Sequence, residues 1–152
     1  MNGLLIQKED RRITELLAAA RQGTQKAFLT KPGGTCYGAA VLTTTGEIFS
    51  AGQYSSFNHI TNIHAEMGAI LMATMSGKSD IVALAVTSTG ATDKPERPCG
   101  ICREFIYEHV KRIGHDILVC MTSLDGRSCE YASLAELLPY SWTPTPGIKA
   151  RG

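Results

Sequence analysis

Residues 116–133, DILVCMTSLDGRSCEYAS, read as two strands on either side of a turn. Apolar residues dominate 117–121, and Asp125-Gly126 stand between the two runs. Only LDGR (124–127) is left to join them. So short a link suits an antiparallel hairpin, because a parallel pair needs a crossover of about a dozen residues. The last two strands are therefore predicted to be antiparallel.

Upstream, CGICREFIYEHVKRIG (99–114) reads as a helix and DIVALAVTSTG (80–90) as an apolar strand. IHAEMGAILMATMSG (63–77) is a further helix, apolar on most sides and expected to be buried, closed by Gly77. Its length suits a crossover between parallel strands. TCYGAAVLTTTGEIFSAGQ (35–53) reads as a hairpin about Gly46. Ahead of it, residues 10–28 place Ile13, Leu16, Leu17 and Ala20 at helical spacing, with Asp10 as cap. LAELLP (134–139) makes a short helix before a Pro/Gly-rich tail, YSWTPTPGIKARG (140–152). The sum is one domain over 1–152, a three-layer α/β/α sandwich on a mixed five-stranded sheet.

The 15 basic and 14 acidic residues leave a net charge of +1, which lacks the electrostatic footprint of a nucleic-acid binder. No apolar run approaches the roughly 18 residues of a membrane span. The first apolar stretch is too short for a signal peptide and precedes its charges, so a cytoplasmic location is expected. The five cysteines are then expected to be thiols. Cys36, Cys120 and Cys129 fall in predicted strands and read as buried thiols.

Three residues offer zinc-ligand chemistry: His64 at one helix start, and Cys99 and Cys102 in PCGIC at another. Cys-x-x-Cys at a helix start sets both sulfurs one turn apart on one face. Unsatisfied amides there favour thiolates. Two cysteines and a histidine leave a tetrahedral zinc one position short, which marks a catalytic site. Glu66, two residues after His64, can serve as its proton carrier. Alone, HAE is ordinary helix-start chemistry, and a lone CxxC also reads as a redox pair. His59 is a weaker alternative ligand, being in a loop without an adjacent acid. Together the two segments match H-x-E…P-C-x-x-C, the signature of zinc deaminases.

On these residues the chain resembles the cytidine deaminase superfamily along most of its length. YGAAVLTTTGEIFSAG, IHAEMGAI, PCGICREF and LAELLPYSW are similar to its opening hairpin, two zinc helices and C-terminal element. PCGxCR and ELLPYS resemble the nucleoside branch, which includes cytidine and blasticidin S deaminases. HAEM-AI also suits the rival branch acting on nucleic acids or deoxycytidylate, but the hairpin about LDGR and the near-neutral charge favour the former. A deaminase-fold protein that binds without turnover stays open as an alternative.

The resemblance implies one zinc per subunit on His64, Cys99 and Cys102, proton transfer by Glu66, and hydrolytic deamination of a nucleoside or other aminated heterocycle. It implies that the Ala65 amide holds the base edge, that Arg103 donates to the ligand sulfurs, and that Trp142 stands where family tetramers reach a neighbour's active site. A homo-oligomer is implied, a tetramer or else a dimer, with no nucleic-acid or membrane partner. The family's ribose-binding Asn and Glu are replaced by Gln53 and Ser55, and the family's aromatic in the preceding segment reads as lost, with Thr35 and Tyr37 in TCYGAA. Ordinary cytidine is therefore expected to be a poor substrate.

Overall fold

The computed structural model describes residues 2–144, so the last eight residues of the tail lie outside the description. A helix, α1 (Arg12–Gly23), precedes a hairpin of β1 (Tyr37–Thr43) and β2 (Ile48–Gly52). Then α2 (Ala65–Met75) leads to β3 (Ile81–Ser88), and α3 (Gly100–Ile113) to β4 (Leu118–Thr122). The chain turns back through β5 (Cys129–Ser133) into the short α4 (Leu134–Leu137). The five strands form one sheet in the order β2-β1-β3-β4-β5. β3 and β4 are parallel and every other neighbouring pair is antiparallel.

The hairpin expected at the end of the sheet is present. Ser123 N–H donates to the Ser128 carbonyl at 2.9 Å, leaving 124–127 as the turn, with Gly126 at φ 75° where a side chain would be strained. The Asp125 carboxylate accepts from Ser123 Oγ at 2.8 Å and from Arg127 N–H at 3.0 Å, which ties the turn across its base.

Alternation along the strands builds two cores. Ala39, Val41, Leu84, Val86, Val119 and Met121 pack with residues of α2 and α3. Ala40, Leu42, Ala83, Ala85, Leu118 and Cys120 pack with Ile13, Leu16 and Ala20 of α1. The expected three layers are thus α1, the sheet, and the α2–α3 pair.

Four local readings need correction. The first helix ends at Gly23, not near residue 28, and a 3-10 turn follows over Thr24–Lys26. Phe28 then runs extended beside the hairpin's exit, donating its N–H to the Gln53 carbonyl at 2.8 Å. This approach is close, because a Cβ on Gly52 would strike the Ala27 amide and the backbone of Lys26. Asp10 acts one residue outside the helix, accepting from Arg12 N–H at 2.9 Å and pairing with the Arg12 guanidinium. α2 is not buried all round. Ala65, Ala69, Ile70 and Ala73 face the sheet, but Met72 and Met75 are exposed. Cys36 sits just before β1 and is half-buried; of the three non-ligand cysteines, only Cys120 is fully buried in a strand. No helix among the described residues is long and apolar enough to cross a membrane.

One consequence of strand order positions the site. Both β2 and β3 oppose β1, so their C-terminal ends lie at the same edge of the sheet. The helices that follow them, α2 and α3, both start at that edge and pack on the same face.

Candidate active site

His64 and Cys99 occupy equivalent positions, each the last extended residue before a helix. Their backbones are at φ −70°, ψ 154° and φ −69°, ψ 172°, which turns both side chains over the helix ends. Neither helix start has a side-chain cap. The first intrahelical bond of α2 runs from Gly68 N–H to the His64 carbonyl, so the amides of Ala65 to Met67 have no helical partner. Cys102, fully buried in the first turn of α3, lies beneath this edge.

The two helix ends converge. His64 Nδ1 is 3.4 Å from Cys99 Sγ and 3.2 Å from Cys102 Sγ, and the three atoms lie within 4.8 Å of one another. Tetrahedral zinc bonds of about 2.3 Å to sulfur and 2.0–2.1 Å to nitrogen separate ligand atoms by about 3.6–3.8 Å. The group therefore fits a zinc ion with only a slight outward movement. The donor chemistry agrees. Burial first, and then the Glu66 carboxylate, push the Cys102 thiol well above its ordinary pKa, so a cation is what makes this sulfur a thiolate. Among the described residues no other group of this kind gathers. His59, the alternative ligand, lies in the 54–62 loop with φ 61° and is not part of it.

Glu66, in the first turn of α2, is only 5% exposed. Burial raises its pKa, opposed by hydrogen bonds from its own amide and the Cys102 thiol. Burial disfavours the charged form, so a carboxyl so placed takes up a proton more readily than an exposed one. It faces a cavity of about 270 Å³ that also meets His64, Ala65, Cys99 and Tyr37.

The remaining expected site residues are placed less simply. Gln53 and Ser55 line the cavity. The Gln53 amide, however, is taken up by backbone, its Oε1 accepting from Tyr37 N–H and its Nε2 donating to the Thr35 carbonyl at 2.8 Å. The Arg103 guanidinium, expected at the ligand sulfurs, instead donates to the carbonyls of Pro98 at 2.9 Å and Leu137 at 3.1 Å. It thus ties the approach to Cys99 to the end of α4. Trp142 is 64% exposed and does not line this chain's cavity.

Sequence reasoning missed Glu96, Arg97, Asn62 and Tyr54, all in the cavity wall. The acid Glu96, three residues before Cys99, was the readable signal for the first of them. Tyr37 also lines the cavity, so an aromatic does stand there. Its phenol is raised by burial and by the nearby Glu96 and Glu66 carboxylates.

This geometry has counterparts. A family model described as "Cytidine and deoxycytidylate deaminase zinc-binding region" matches residues 10–115. A cytidine deaminase of Halalkalibacterium halodurans is 30% identical over 106 residues, which is 70% of this chain and 76% of that protein. A blasticidin-S deaminase of Bacillus cereus is also 30% identical, with the same two coverages. The crystal structure of the cytidine deaminase from Burkholderia pseudomallei superposes with a TM-score of 0.74 at 25% identity, covering 85% of this chain and 98% of that one. Shared sequence, shared fold and a zinc-competent His-Cys-Cys group agree, and the chain belongs to the cytidine deaminase superfamily.

Proposed function

We propose that the protein is a zinc-dependent aminohydrolase. It replaces the exocyclic amine of a cytosine-like base, a nucleoside or a related cyclic amidine with a carbonyl, consuming water and releasing ammonia. The observation that carries this reading is the buried Glu66 carboxyl beside the His64–Cys99–Cys102 group at the floor of a cavity. A purely structural zinc has no use for an acid in that place.

His64, Cys99 and Cys102 would hold the metal, which when bound supplies a Lewis acid that lowers the pKa of a water ligand toward neutrality. Glu66 takes a first proton from the attacking water and gives it to the ring nitrogen, where it stays. It then takes the second from the newly added hydroxyl and gives it to the amine, which leaves as ammonia as the carbonyl forms. The Ala65 amide, unused by the helix, is available to the edge of the base. Arg103 steadies the segment that carries Cys99 through its bonds to two carbonyls.

Ordinary cytidine is a poor substrate on this reading. Gln53 is committed to backbone and Ser55 offers a hydroxyl in place of a carboxylate, so neither of the two positions expected to hold the ribose offers it a free carboxylate or amide acceptor. Losing such an acceptor costs about 1–3 kcal/mol, or roughly 5- to 150-fold. An ammonia-release screen of the zinc-loaded protein checks both points, using cytosine, isocytosine, cytidine, deoxycytidine, blasticidin S, and aminated purines and triazines. Ammonia from none of them would leave a binding protein rather than an enzyme. A kcat/KM for cytidine equal to that of the best free base would remove the ribose argument.

Assembly as a homotetramer, or failing that a dimer, is supported by the exposed Met72 and Met75 of α2 and Ile101 of α3. In such an assembly Trp142 reaches a neighbouring subunit. Light scattering is expected to give a mass of four chains, and a monomer at micromolar concentration would exclude it. The near-neutral charge supports a small-molecule substrate rather than a nucleic acid.

A further inference from the structure

We propose that Glu96 determines specificity in this cavity, selecting a heterocycle that carries a second amine or ring N–H donor besides the amine that leaves. The proposal deepens the deaminase reading and rests on it for the location of the substrate ring.

Glu96 lies in the loop between β3 and α3 and lines the cavity that Glu66 also faces. It is fixed from both ends. Ser88 Oγ, on a fully buried residue at the end of β3, donates to Glu96 Oε2 at 2.6 Å. The Arg97 N–H donates to Oε1 at 3.2 Å. The Glu96 main chain in turn donates to the carbonyl of Thr122, itself fully buried at the end of β4, at 3.2 Å. The carboxylate is therefore rooted at the strand ends beside the zinc helices.

A carboxylate oxygen accepts about two hydrogen bonds. One is used at each oxygen, which leaves two acceptor positions side by side. That spacing matches an exocyclic amine next to a ring N–H, or two amines flanking a ring nitrogen, the geometry of bidentate recognition.

The charge around Glu96 is not balanced within the cavity. Among the described residues that line it, Arg97 carries the only permanent positive charge. Its guanidinium is bound in fork fashion to Glu130 of β5, with Nη2 and Nε 2.7 Å and 3.1 Å from one carboxylate oxygen and Nη2 2.9 Å from the other. Its positive group is thus spent on the sheet's edge strand. Glu96 is left facing Glu66 and the phenol of Tyr37, whose pKa is raised by burial and then by both carboxylates. A ring with one amine leaves the two free acceptor positions unpaired once water is expelled, whereas a second amine satisfies one of them and an amine beside a ring N–H satisfies both.

The test compares 2,4-diaminopyrimidine with 4-aminopyrimidine, which differ by one amine, on the zinc-loaded protein at a pH where both rings are neutral. Calorimetry gives affinity and ammonia release gives kcat/KM. The native chain is expected to bind the diamine at least about tenfold more tightly. Glu96→Gln turns one acceptor into a donor and is expected to bring that ratio close to one. Ser88→Ala, which frees the carboxylate without removing it, is expected to lower the ratio part of the way. Equal affinities in the native chain overturn the proposal, as does absence of binding by either pyrimidine. A Glu96→Gln variant that weakens both ligands alike overturns it too, since the residue would then only tether its loop. A preserved binding preference with no ammonia from either ring or from any compound of the screen would fell the deaminase reading and leave Glu96 in its role.

Discussion

Glu66→Gln is expected to slow ammonia release by about 10²- to 10⁴-fold while the protein still holds one zinc per chain. The amide keeps the size of the side chain and can still hydrogen-bond a water, so the cavity should keep its shape. What it loses is the ability to carry a proton between the attacking water, the ring nitrogen and the departing amine. The native environment is made for that task. The side chain is almost wholly buried, burial raises its pKa, and it lies against the Cys102 sulfur that would hold the metal. Metal analysis and steady-state kinetics on the same preparation separate the outcomes. Retained turnover with zinc present would sink the mechanism, and loss of zinc along with activity would make Glu66 a structural residue.

The second large effect is expected at Cys102. Cys102→Ala should weaken zinc binding by more than about 100-fold, since even partners outside the ligand set cost 10- to 100-fold. Its sulfur is the fully buried member of the group, 3.2 Å from His64 Nδ1, and the two remaining donors cannot enclose an ion. Zinc at 1,000 times its Kd stabilises a folded chain by about 4 kcal/mol, on the order of 10 °C in Tm for a protein of this length. The native Tm is therefore expected to fall on chelation and recover with zinc, while that of Cys102→Ala should move by about a third as much or less. A zinc-dependent shift in the variant as large as the native one would mean that the ion sits elsewhere.

Most of this architecture was legible because it follows from patterns of short period. The apolar run 81–88 and the brief LDGR link could only be a buried strand and an antiparallel turn, and both are present. His64, Cys99 and Cys102 could be grouped because two helix starts separated by one strand return to the same sheet edge. What escaped depended on contacts between distant segments. The stop of α1 at Gly23 is dictated by its seat on Gly38 and Ala51, which helix propensity over 10–28 does not encode. Glu96 stands in a loop of no regular period, and its place in the cavity wall is set by Ser88 and Thr122 at the ends of two other strands. Arg103 looked like a partner for its neighbouring cysteine, but the end of α4, folded back beside it, offers a carbonyl.

The split between helix ends and loops has a practical consequence. The residues that would hold the metal and move the proton sit at the starts of α2 and α3, His64 and Cys99 as the residues just before each helix and Glu66 and Cys102 in the first turns. Ser55, Asn62 and Glu96 belong instead to the loops that deliver the chain to them. On the proposed function, reaction and choice of substrate are divided between different segments of the chain. Exchanging 53–62 or 89–97 for loops of another sequence is then expected to change the substrate range while leaving the proposed zinc chemistry in place.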